Sequence, residues 1–444
     1  MSPQTIMPPT VSVRTKQGGE AQDPREWEWV ETSVWTERML TALKKGVKGG
    51  KWFSLIDKVW ASDTLDAAWK SVASKRGAAG VDRVSIDRFK YNAEQYLDEL
   101  SEAIKFARYN PAPVRRVEIP KDKGKTRPLG IPTVKDRIVQ TSLKMVLEPI
   151  FEAEFLPTSY GFRPGRSAKD ALREVDRLLR DGYTWVVDAD IQGCFDNIPH
   201  DGILSRMKEK VSDGRVLKLV ELYVKQEIQS EMIRWIPDKG TPQGAVLSPL
   251  LANIYLHPLD VEMAEGGRRM IRFADDFVIL CRSEQEARQA LVELYNWTQT
   301  NGLTLHPDKT RVGNCLEYGQ GFEFLGYRFE RGKRFVREKS RQKLRDKVRA
   351  KTPRNRGQSI KRIIQDLNPI LRGWYNYFKH AHWRNLHEAD GFVRRRLRSI
   401  LCEHKKKSWK IQSKMASKRW PNTYFAEQGL FSMYEARVLE CQSR

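Results

Sequence analysis

The sequence predicts an α+β fold, in which a body of mixed strands and helices is followed by a basic, all-helical segment. Two short apolar runs flank Asp275 and Asp276, a pattern typical of a β-hairpin, and an earlier β-rich run ends at Asp190. Beyond these runs, apolar residues recur at spacings of three and four, which indicates packed helices. The 444 residues leave room for about three domains of ordinary size.

The N-terminal part is predicted to be helical after a polar start. Residues 1–24 are rich in Pro, Gly and Gln, a composition typical of a disordered lead-in. Trp and Leu at helical spacing predict two short helices within 27–60. Helical patterns continue over 64–110, around a turn near Gly77 to Asp82.

The central part is predicted to mix strands with helices. Residues 115–132 alternate between apolar and polar side chains and are interrupted by Gly124, which predicts a hairpin with basic residues near its tip. Amphipathic helices are expected over 134–155 and 168–180. The strands that carry the acidic residues follow.

Three carboxylates are expected to meet at one end of the predicted sheet. If the hairpin pairs with the run that ends at Asp190, that residue lies beside Asp275 and Asp276. Mg²⁺ prefers oxygen ligands, and two such ions about 3.5–4 Å apart can activate a hydroxyl and stabilise the leaving oxygen at phosphorus. A lone Asp-Asp pair is common in solvated turns, but the flanking strands and the third acid favour a site for two Mg²⁺ ions.

Positive charge is concentrated in one segment. The formal net charge is +23, and residues 331–420 hold 29 Lys and Arg against 6 Asp and Glu, so the remaining chain carries 50 of each sign. This distribution predicts a polyanion-binding module on a nearly neutral body, although charge runs are also common on solvated helix faces. Aromatic residues between the bases are suited to stacking on nucleobases, or belong to a core: Trp374, Tyr375, Tyr377, Phe378 and Trp383.

The basic segment is predicted to consist of helices. Residues 340–351 predict one helix, and 351–359 a polar linker. An apolar row over 360–378 predicts packed helices, with a restart at Asn368-Pro369. Further bases extend the surface at Arg394, Arg395, Arg396, Arg398, Lys405, Lys406 and Lys407. Contacts from such residues go mainly to phosphate, so binding should be sensitive to salt.

Composition disfavours several classes of protein. No apolar stretch is long enough to span a membrane, and the N-terminus lacks the pattern of a signal peptide. Five cysteines without Cys-x-x-Cys spacing predict a reduced, cytosolic compartment. No zinc is expected, because no cysteine pair brackets the candidate ligands His380, His382, His387, Cys402 and His404.

Six ordered blocks resemble those of reverse transcriptases encoded by group II introns. They are 127–132 (RPLGIP), 159–167 (SYGFRPGRS), 241–253 (TPQG, then VLSPLLAN), 273–276 (FADD), 303–310 (LTLHPDKT) and 324–327 (FLGY). The resemblance implies a right-hand polymerase of fingers and palm, followed by a helical thumb that is also the maturase domain. It is closest to the bacterial type without a C-terminal nuclease domain. The expected segments are a disordered lead-in (1–24), an N-terminal helical extension with the start of the fingers (25–110) and the fingers and palm (111–328). A basic helical thumb/maturase domain (329–415) and a short C-terminal tail (416–444) follow.

The resemblance also implies which residues serve the reaction. Asp190, Asp275 and Asp276 would be catalytic and would bind metal, together with Ile191, which also borders the nucleotide. Lys121 and Arg127 would hold the triphosphate, because its developing charge needs fixed cations. Lys123 and Lys125 compete with Lys121 for this role, and spacing does not choose between them.

Further roles concern the sugar, the base pair and the primer. Phe195 would lie beneath the sugar, where a ring excludes a 2′-hydroxyl, although it could instead be a core residue. Gln243 and Gly244 would border the nascent pair. Lys309 would donate a proton to the leaving pyrophosphate, or be an ordinary surface lysine. Leu325 and Gly326 would contact the primer.

The resemblance implies an RNA-dependent DNA polymerase that uses deoxynucleoside triphosphates, an RNA template, a DNA primer and a DNA target. It would also bind its intron RNA, promote splicing and support retrohoming from a cytoplasmic, nucleoid-associated location. Residues expected to bind RNA are Arg372, Lys379, Arg394, Arg395, Arg396, Lys405, Lys406 and Lys407. The alternatives are a domesticated reverse transcriptase in defence or repair, and a maturase with incidental polymerase activity. The block at 273–276 begins with Phe273, where this family more often has Tyr.

Overall fold

The structure is a computed structural model that describes residues 27–120, 126–231, 233–353, 357–404 and 413–442. The strands, in chain order, are β1 (Val114–Pro120), β2 (Thr126–Ile131), β3 (Trp185–Asp190), β4 (Ile228–Ser230), β5 (Ile233–Trp235), β6 (Arg269–Phe273), β7 (Asp276–Cys281), β8 (Arg311–Asn314), β9 (Phe322–Phe324), β10 (Tyr327–Glu330) and β11 (Lys333–Val336). They form three sheets, and the described chain after β11 is helical, which confirms the α+β prediction.

Helices account for most of the remaining residues that the structure describes. They are α1 (Glu37–Lys45), α2 (Ile56–Trp60), α3 (Ser62–Ser74), α4 (Ile86–Tyr91), α5 (Ala93–Lys105), α6 (Val134–Glu152), α7 (Ala168–Arg180), α8 (Cys194–Asn197), α9 (His200–Lys208), α10 (Gly214–Val224), α11 (Ser248–Glu265), α12 (Glu284–Thr300), α13 (Glu338–Lys351), α14 (Ile360–Phe378), α15 (Trp383–His404), α16 (Ser413–Arg419), α17 (Asn422–Glu427) and α18 (Met433–Gln442). In the described ranges, no helix combines the length and apolar character needed to cross a membrane.

The N-terminal helices pack around α6, whose side chains are buried on most sides. Two long-range bonds fix this arrangement: the Trp35 indole donates to the Met145 carbonyl (3.0 Å), and the Ser142 hydroxyl donates to the Val59 carbonyl (2.6 Å). Because α6 is covered on most sides, its buried positions include polar residues such as Asp136, Gln140 and Ser142 as well as apolar ones.

The sheet that carries the acidic residues has the strand order β6-β7-β3-β8, with antiparallel neighbours. Val187 and Ile279 face one apolar core and Val186 and Val278 face another, so the sheet is buried on both faces. A sheet covered on both sides needs apolar residues in succession, which explains the unbroken apolar runs in β3 and β7. The register places Asp190 directly opposite Asp276.

The predicted hairpin over 115–132 is confirmed, because β1 and β2 pair in antiparallel fashion. The sequence did not predict its extension: β4 joins β1 in parallel and β5 adds a further strand, giving the order β2-β1-β4-β5. Both added strands have only three residues, too few to show a clear periodicity.

The C-terminal helices form a separate apolar core around α14 and α15. The predicted restart at Asn368-Pro369 is wrong, because α14 runs unbroken from Ile360 to Phe378. Leu367 and Leu371 are fully buried on either side of the proline, and their packing offsets the helix bond that proline cannot make. The Asn368 side chain bonds to the chain near α18 instead: it donates to Gly429 (2.8 Å) and accepts from Phe431 (2.9 Å).

Candidate active site

Strands β6 and β7 are joined by a tight turn that presents two carboxylates. Phe273 pairs with Asp276, which leaves Ala274 and Asp275 as the two turn residues. Ala274 has a φ of +62°, the left-handed conformation that two-residue hairpins require and that a side chain disfavours. We call residues 273–276 the carboxylate turn.

A buried guanidinium is hydrogen-bonded to the carboxylate turn. Arg272 is fully buried and donates to the Asp260 carboxylate (2.7 Å), to the Asn253 side-chain oxygen (2.9 Å) and to the Ala274 carbonyl (2.9 Å). The Asn253 amide donates to the Gly161 carbonyl (2.8 Å). A charge removed from water needs such complete pairing, so this network fixes the turn relative to α11.

The segment around Gly161 closes the other side of the carboxylate turn. The Tyr160 amide donates to the Arg272 carbonyl (2.8 Å), and the Arg272 amide donates to the Thr158 carbonyl (3.0 Å). A Cβ at Gly161 would lie 2.1 Å from the Ala274 nitrogen. Only glycine fits, because the two backbones touch there.

Ten of the predicted residues line one cavity of about 710 Å³ beside the carboxylate turn. They are Arg127, Asp190, Ile191, Phe195, Gln243, Gly244, Asp275, Asp276, Lys309 and Leu325. They come from segments up to about two hundred residues apart in the chain. Gly326 is adjacent to this lining in the β9–β10 turn, and Lys121 lies outside the described residues.

The carboxylates are crowded enough to resist ionisation. Desolvation, with the nearby charges of Asp275 and Asp188, raises the pKa of Asp276 to about 7. Desolvation is also the main cause that raises the pKa of Asp275, with Asp190 adding repulsion. Part of the Asp276 surface still reaches solvent. Ionising all three carboxylates would crowd negative charge in the site, and a cation would relieve it.

Lysine is the cation that meets Asp190 in this structure. The Lys309 ammonium lies 2.7 Å from the Asp190 Oδ2 atom, and both side chains are partly exposed. Across the part of the chain that the structure describes, no group of three or more His, Cys, Asp or Glu is arranged to hold a metal ion. A metal at Asp190 would thus need the ammonium to move.

The donor set nevertheless fits Mg²⁺. Carboxylate and carbonyl oxygens are the ligands that this ion prefers. The backbone on either side of Ile191 is bonded to the neighbouring segment, through the Asp190 carbonyl with His306 (2.7 Å) and the Gln192 amide with Thr304 (2.8 Å). Carbonyls alternate along an extended strand, so the Ile191 carbonyl points the opposite way, away from this pairing.

One wall of the cavity is a chain of polar contacts that joins β2 to α8. Arg127 on β2 donates to the Gln243 side-chain oxygen (2.6 Å), and the Gln243 amide donates to Asp196 (3.1 Å). Gly244 has a φ of +106°, and a Cβ there would lie 2.5 Å from the Gly130 carbonyl. The glycine thus lets residues 243–244 pass directly beneath the β1–β2 hairpin.

Two aromatic rings form a corner of the cavity. Phe195 is half-buried, and its ring meets that of Phe162 edge-on, with centroids 6.4 Å apart at 87°. Phe162 is 53% exposed and adopts a φ of +57°, a strained backbone for a bulky residue. The sequence motif at 159–167 contained Phe162, but nothing in its spacing indicated that its ring would face Phe195.

The predicted RNA-binding residues that the structure describes lie on α14, directly after it and on α15, and several have protein partners. Lys379 pairs with Glu440 (3.0 Å), the Arg372 guanidinium lies over the Phe431 ring, and Arg396 donates to the Thr352 hydroxyl (3.1 Å). Arg395 is exposed and Arg394 is half-buried. Lys405, Lys406 and Lys407 lie outside the described residues.

The expectation that Arg398 extends the basic surface is wrong. Arg398 is buried and donates to the Trp420 carbonyl and to the Asn422 side chain, both at 2.9 Å. Its position on the inner face of α15 is visible from Leu397 and Leu401, which lie beside it and also enter the core.

Sequence reasoning missed the residues that support the site from behind. Arg272, Asp260 and Asn253 form the buried network, and Asp196 continues the Arg127 wall. Arg272 follows the buried apolar residues Met270 and Ile271 in β6, and a charge at such a position signals an internal partner. The distant partners themselves leave no sequence signal.

Two family models match consecutive parts of the chain. Residues 119–329 match the family described as reverse transcriptase (RNA-dependent DNA polymerase). Residues 341–420 match the family described as group II intron, maturase-specific domain.

Relatives of known sequence agree with these matches. Protein YkfC of Escherichia coli is 33% identical over 319 residues, covering 62% of this chain and 83% of that protein. The group II intron-encoded protein LtrA of Lactococcus lactis is 38% identical over 201 residues, covering 45% of this chain. An uncharacterized 91 kDa protein in the cob intron of Schizosaccharomyces pombe is 28% identical over 373 residues, covering 65% of this chain. The match spans about half of the yeast protein (46%) and a third of LtrA (33%). The chain belongs to the family of group II intron-encoded reverse transcriptases that carry a maturase domain.

Proposed function

We propose that this chain copies RNA into DNA at the cavity beside the carboxylate turn, and that its helical C-terminal part binds the intron RNA. The observation that carries the polymerase function is the single cavity shared by the carboxylates Asp190, Asp275 and Asp276, the cation Arg127 and the ring of Phe195. Nucleotide transfer to a primer needs carboxylates that bind metal, a cationic side chain that binds phosphate and an aromatic ring beside the sugar.

Asp190, Asp275 and Asp276, with the Ile191 carbonyl, would hold two Mg²⁺ ions. Such ions would supply activation of the primer 3′-hydroxyl and stabilisation of the leaving pyrophosphate. Arg127 would balance the charge of the triphosphate, as would Lys121. With a metal at Asp190, the Lys309 ammonium, which pairs with that carboxylate here, would be free to donate a proton to the pyrophosphate.

Phe195 selects the sugar of the incoming nucleotide. Its ring stands at the cavity wall, braced edge-on by Phe162, so it cannot easily turn away. A 2′-hydroxyl would meet the ring, and deoxynucleoside triphosphates are therefore the preferred substrates. Gln243 and Gly244 would border the nascent base pair, and the Leu325-Gly326 turn would contact the primer. This proposal is supported by the cavity lining, which includes Gln243, Gly244 and Leu325.

The C-terminal helices serve the RNA. Residues 331–420 carry the excess positive charge of the chain, and exposed bases such as Arg395 suit phosphate contacts. This surface would bind the intron RNA, promote splicing and, with a DNA target, support retrohoming by target-primed reverse transcription. The site of action would be the bacterial cytoplasm, at the nucleoid when target DNA is bound. The proposed division is a lead-in over 1–24, an N-terminal helical extension with the start of the fingers over 25–110, and fingers and palm over 111–328. A thumb/maturase domain over 329–415 and a short tail over 416–444 follow.

Primer extension tests the polymerase function. The purified chain is given an RNA template, a DNA primer, Mg²⁺ and deoxynucleotides, beside the Asp275→Ala, Asp276→Ala double variant. The parent should extend the primer and the variant should not, because the metal site loses two of its carboxylates. The control is Asp181→Ala, which removes an exposed carboxylate paired with Arg177 at the end of α7.

Three results would contradict the proposal or one part of it. Extension by the double variant at the parent rate would show that the carboxylate turn is not the site. A folded parent that binds intron RNA tightly but makes no DNA would leave a maturase alone, and a parent that extends primers without any preference for intron RNA would favour a role in defence or repair.

A further inference from the structure

The turn between β9 and β10 is held by a helix of the C-terminal part. Leu325 and Gly326 are its two turn residues, with φ values of +47° and +84°. The Tyr377 hydroxyl, on α14, donates to the Leu325 carbonyl (2.8 Å). The Tyr327 hydroxyl, immediately after the turn, donates back to the Tyr377 carbonyl (2.5 Å). We call residues 324–327 the primer turn.

Other groups at the start of the helical part complete the grip on the primer turn. The Arg337 amide donates to the Gly326 carbonyl (3.0 Å), and the Ser340 hydroxyl approaches the same oxygen (3.3 Å). A Cβ at Gly326 would lie 3.5 Å from the Phe378 ring. Both carbonyls of the turn are thus bonded to residues beyond β11.

The primer turn lies at the cavity of the carboxylates. Leu325 lines that cavity together with Asp190, Asp275 and Asp276. Tyr377 is half-buried, and the nearby Asp276 carboxylate adds to burial in raising the pKa of its hydroxyl. The hydroxyl therefore connects a helix of the RNA-binding part to the edge of the polymerase site.

We propose that Tyr377 is a positioning residue, whose hydroxyl holds the primer turn in the position that contacts the 3′ end of the primer. The inference rests on the proposed polymerase function and adds to it a specific link between α14 and the primer. Burial raises the pKa of the Tyr377 hydroxyl, so it remains a neutral donor at physiological pH.

The hydroxyl is separable from the packing that joins the two parts. The Tyr327 bond goes to the backbone carbonyl of residue 377, and it is independent of the side chain there. The Tyr327 and Phe378 rings also pack with centroids 5.1 Å apart. Tyr377→Phe should therefore keep the fold and the ring contacts while it frees the Leu325 carbonyl.

Single-nucleotide extension distinguishes positioning from folding. The KM for primer-template duplex and the KM for the deoxynucleotide are measured separately for the parent, Tyr377→Phe and the control Tyr375→Phe. Tyr375 lies on the same helix but packs edge-on against Phe431, at 5.6 Å and away from the turn. Losing one hydrogen bond should raise the primer KM by roughly three- to tenfold. The nucleotide KM and the melting temperature should stay at the parent values.

Each outcome decides the question. If the parent extends primers but Tyr377→Phe has the parent primer KM, or if Tyr375→Phe shows the same rise, the positioning role is wrong while the polymerase function stands. If the parent extends no primer, the polymerase function itself fails. If Tyr377→Phe lowers the melting temperature, Ser340→Ala removes a second donor to the primer turn, and an unchanged primer KM in that variant would overturn the inference.

Discussion

The carboxylate turn and the primer turn are built alike but held in different ways. Each is a two-residue hairpin turn with left-handed backbone, and each borders the same cavity. The carboxylate turn is fixed by Arg272, a fully buried guanidinium whose partners lie on α11 and in the turn itself. The primer turn is held by neutral hydrogen bonds from the C-terminal part, from the Tyr377 hydroxyl to Leu325 and from the Arg337 amide to Gly326.

The difference separates a permanent support from an adjustable one. A buried ion pair with every donor occupied cannot yield without exposing charge to an apolar interior, so the carboxylates keep one geometry. A single neutral hydrogen bond contributes only about 1 kcal/mol, and it can break and reform. Movement of α14 on binding RNA would therefore shift the primer turn and leave the carboxylates in place.

Removing the buried guanidinium should have the largest effect on stability. Arg272→Met leaves the Asp260 carboxylate buried without a partner, at a cost of about 3–5 kcal/mol. Urea unfolding monitored by tryptophan fluorescence measures the loss. The control is Arg288→Met, whose guanidinium pairs with Glu284 on the exposed face of α12 and should change stability little. A loss in Arg272→Met no larger than in this control would show that the two turns do not differ in support.

A double variant sharpens the same comparison. Arg272→Met with Asp260→Leu removes both buried charges, and replacement by apolar groups should recover most of the stability. Activity should stay low, because the Ala274 carbonyl has still lost its donor and the carboxylate turn is free to shift. Full recovery of primer extension would mean that Arg272 only neutralises Asp260.

Substituting the residues with positive φ in the two turns should change stability less, and by different amounts in the two turns. Gly326→Ala forces a side chain into a φ of +84° and brings its Cβ to 3.3 Å from the Ser340 hydroxyl oxygen. The expected loss is about 1–2 kcal/mol. Ala274→Gly relieves strain at +62° but frees the unfolded chain, so its stability should change by less than about 0.5 kcal/mol. Thermal unfolding of both variants tests this, and equal losses would count against it.

Much of the site could be predicted because catalysis depends on local patterns. Apolar strands ending in acids indicated Asp190, Asp275 and Asp276, and the register places Asp190 opposite Asp276 as expected. The supports could not be predicted, because they join residues far apart in sequence: Tyr377 meets Leu325 across 52 positions. The predicted helix restart at Pro369 was wrong for a related reason, since core packing around α14 outweighs a local helix breaker.

The smallest predicted effect concerns a third support of the cavity, which should depend on the protonation of a histidine. The His200 Nε2 atom lies 2.8 Å from the Gly240 carbonyl, and the next residue, Thr241, donates its amide to the Phe195 carbonyl (2.7 Å). Burial lowers the pKa of His200 below its ordinary value of 6.5, so the folded protein favours the neutral ring.

Linkage then gives the sign of the pH effect. Below about pH 6.5 the unfolded chain binds a proton at His200 that the folded chain resists, and the stability due to the neutral ring is lost as pH falls. His200→Gln offers an amide to the same carbonyl but does not titrate. The melting temperature of the parent, minus that of the variant, should therefore be larger near pH 7.5 than near pH 5.5, since every other titrating group is common to both. A constant difference over this range would mean that His200 supports the wall by its shape alone, as independent of protonation as the guanidinium under the carboxylate turn.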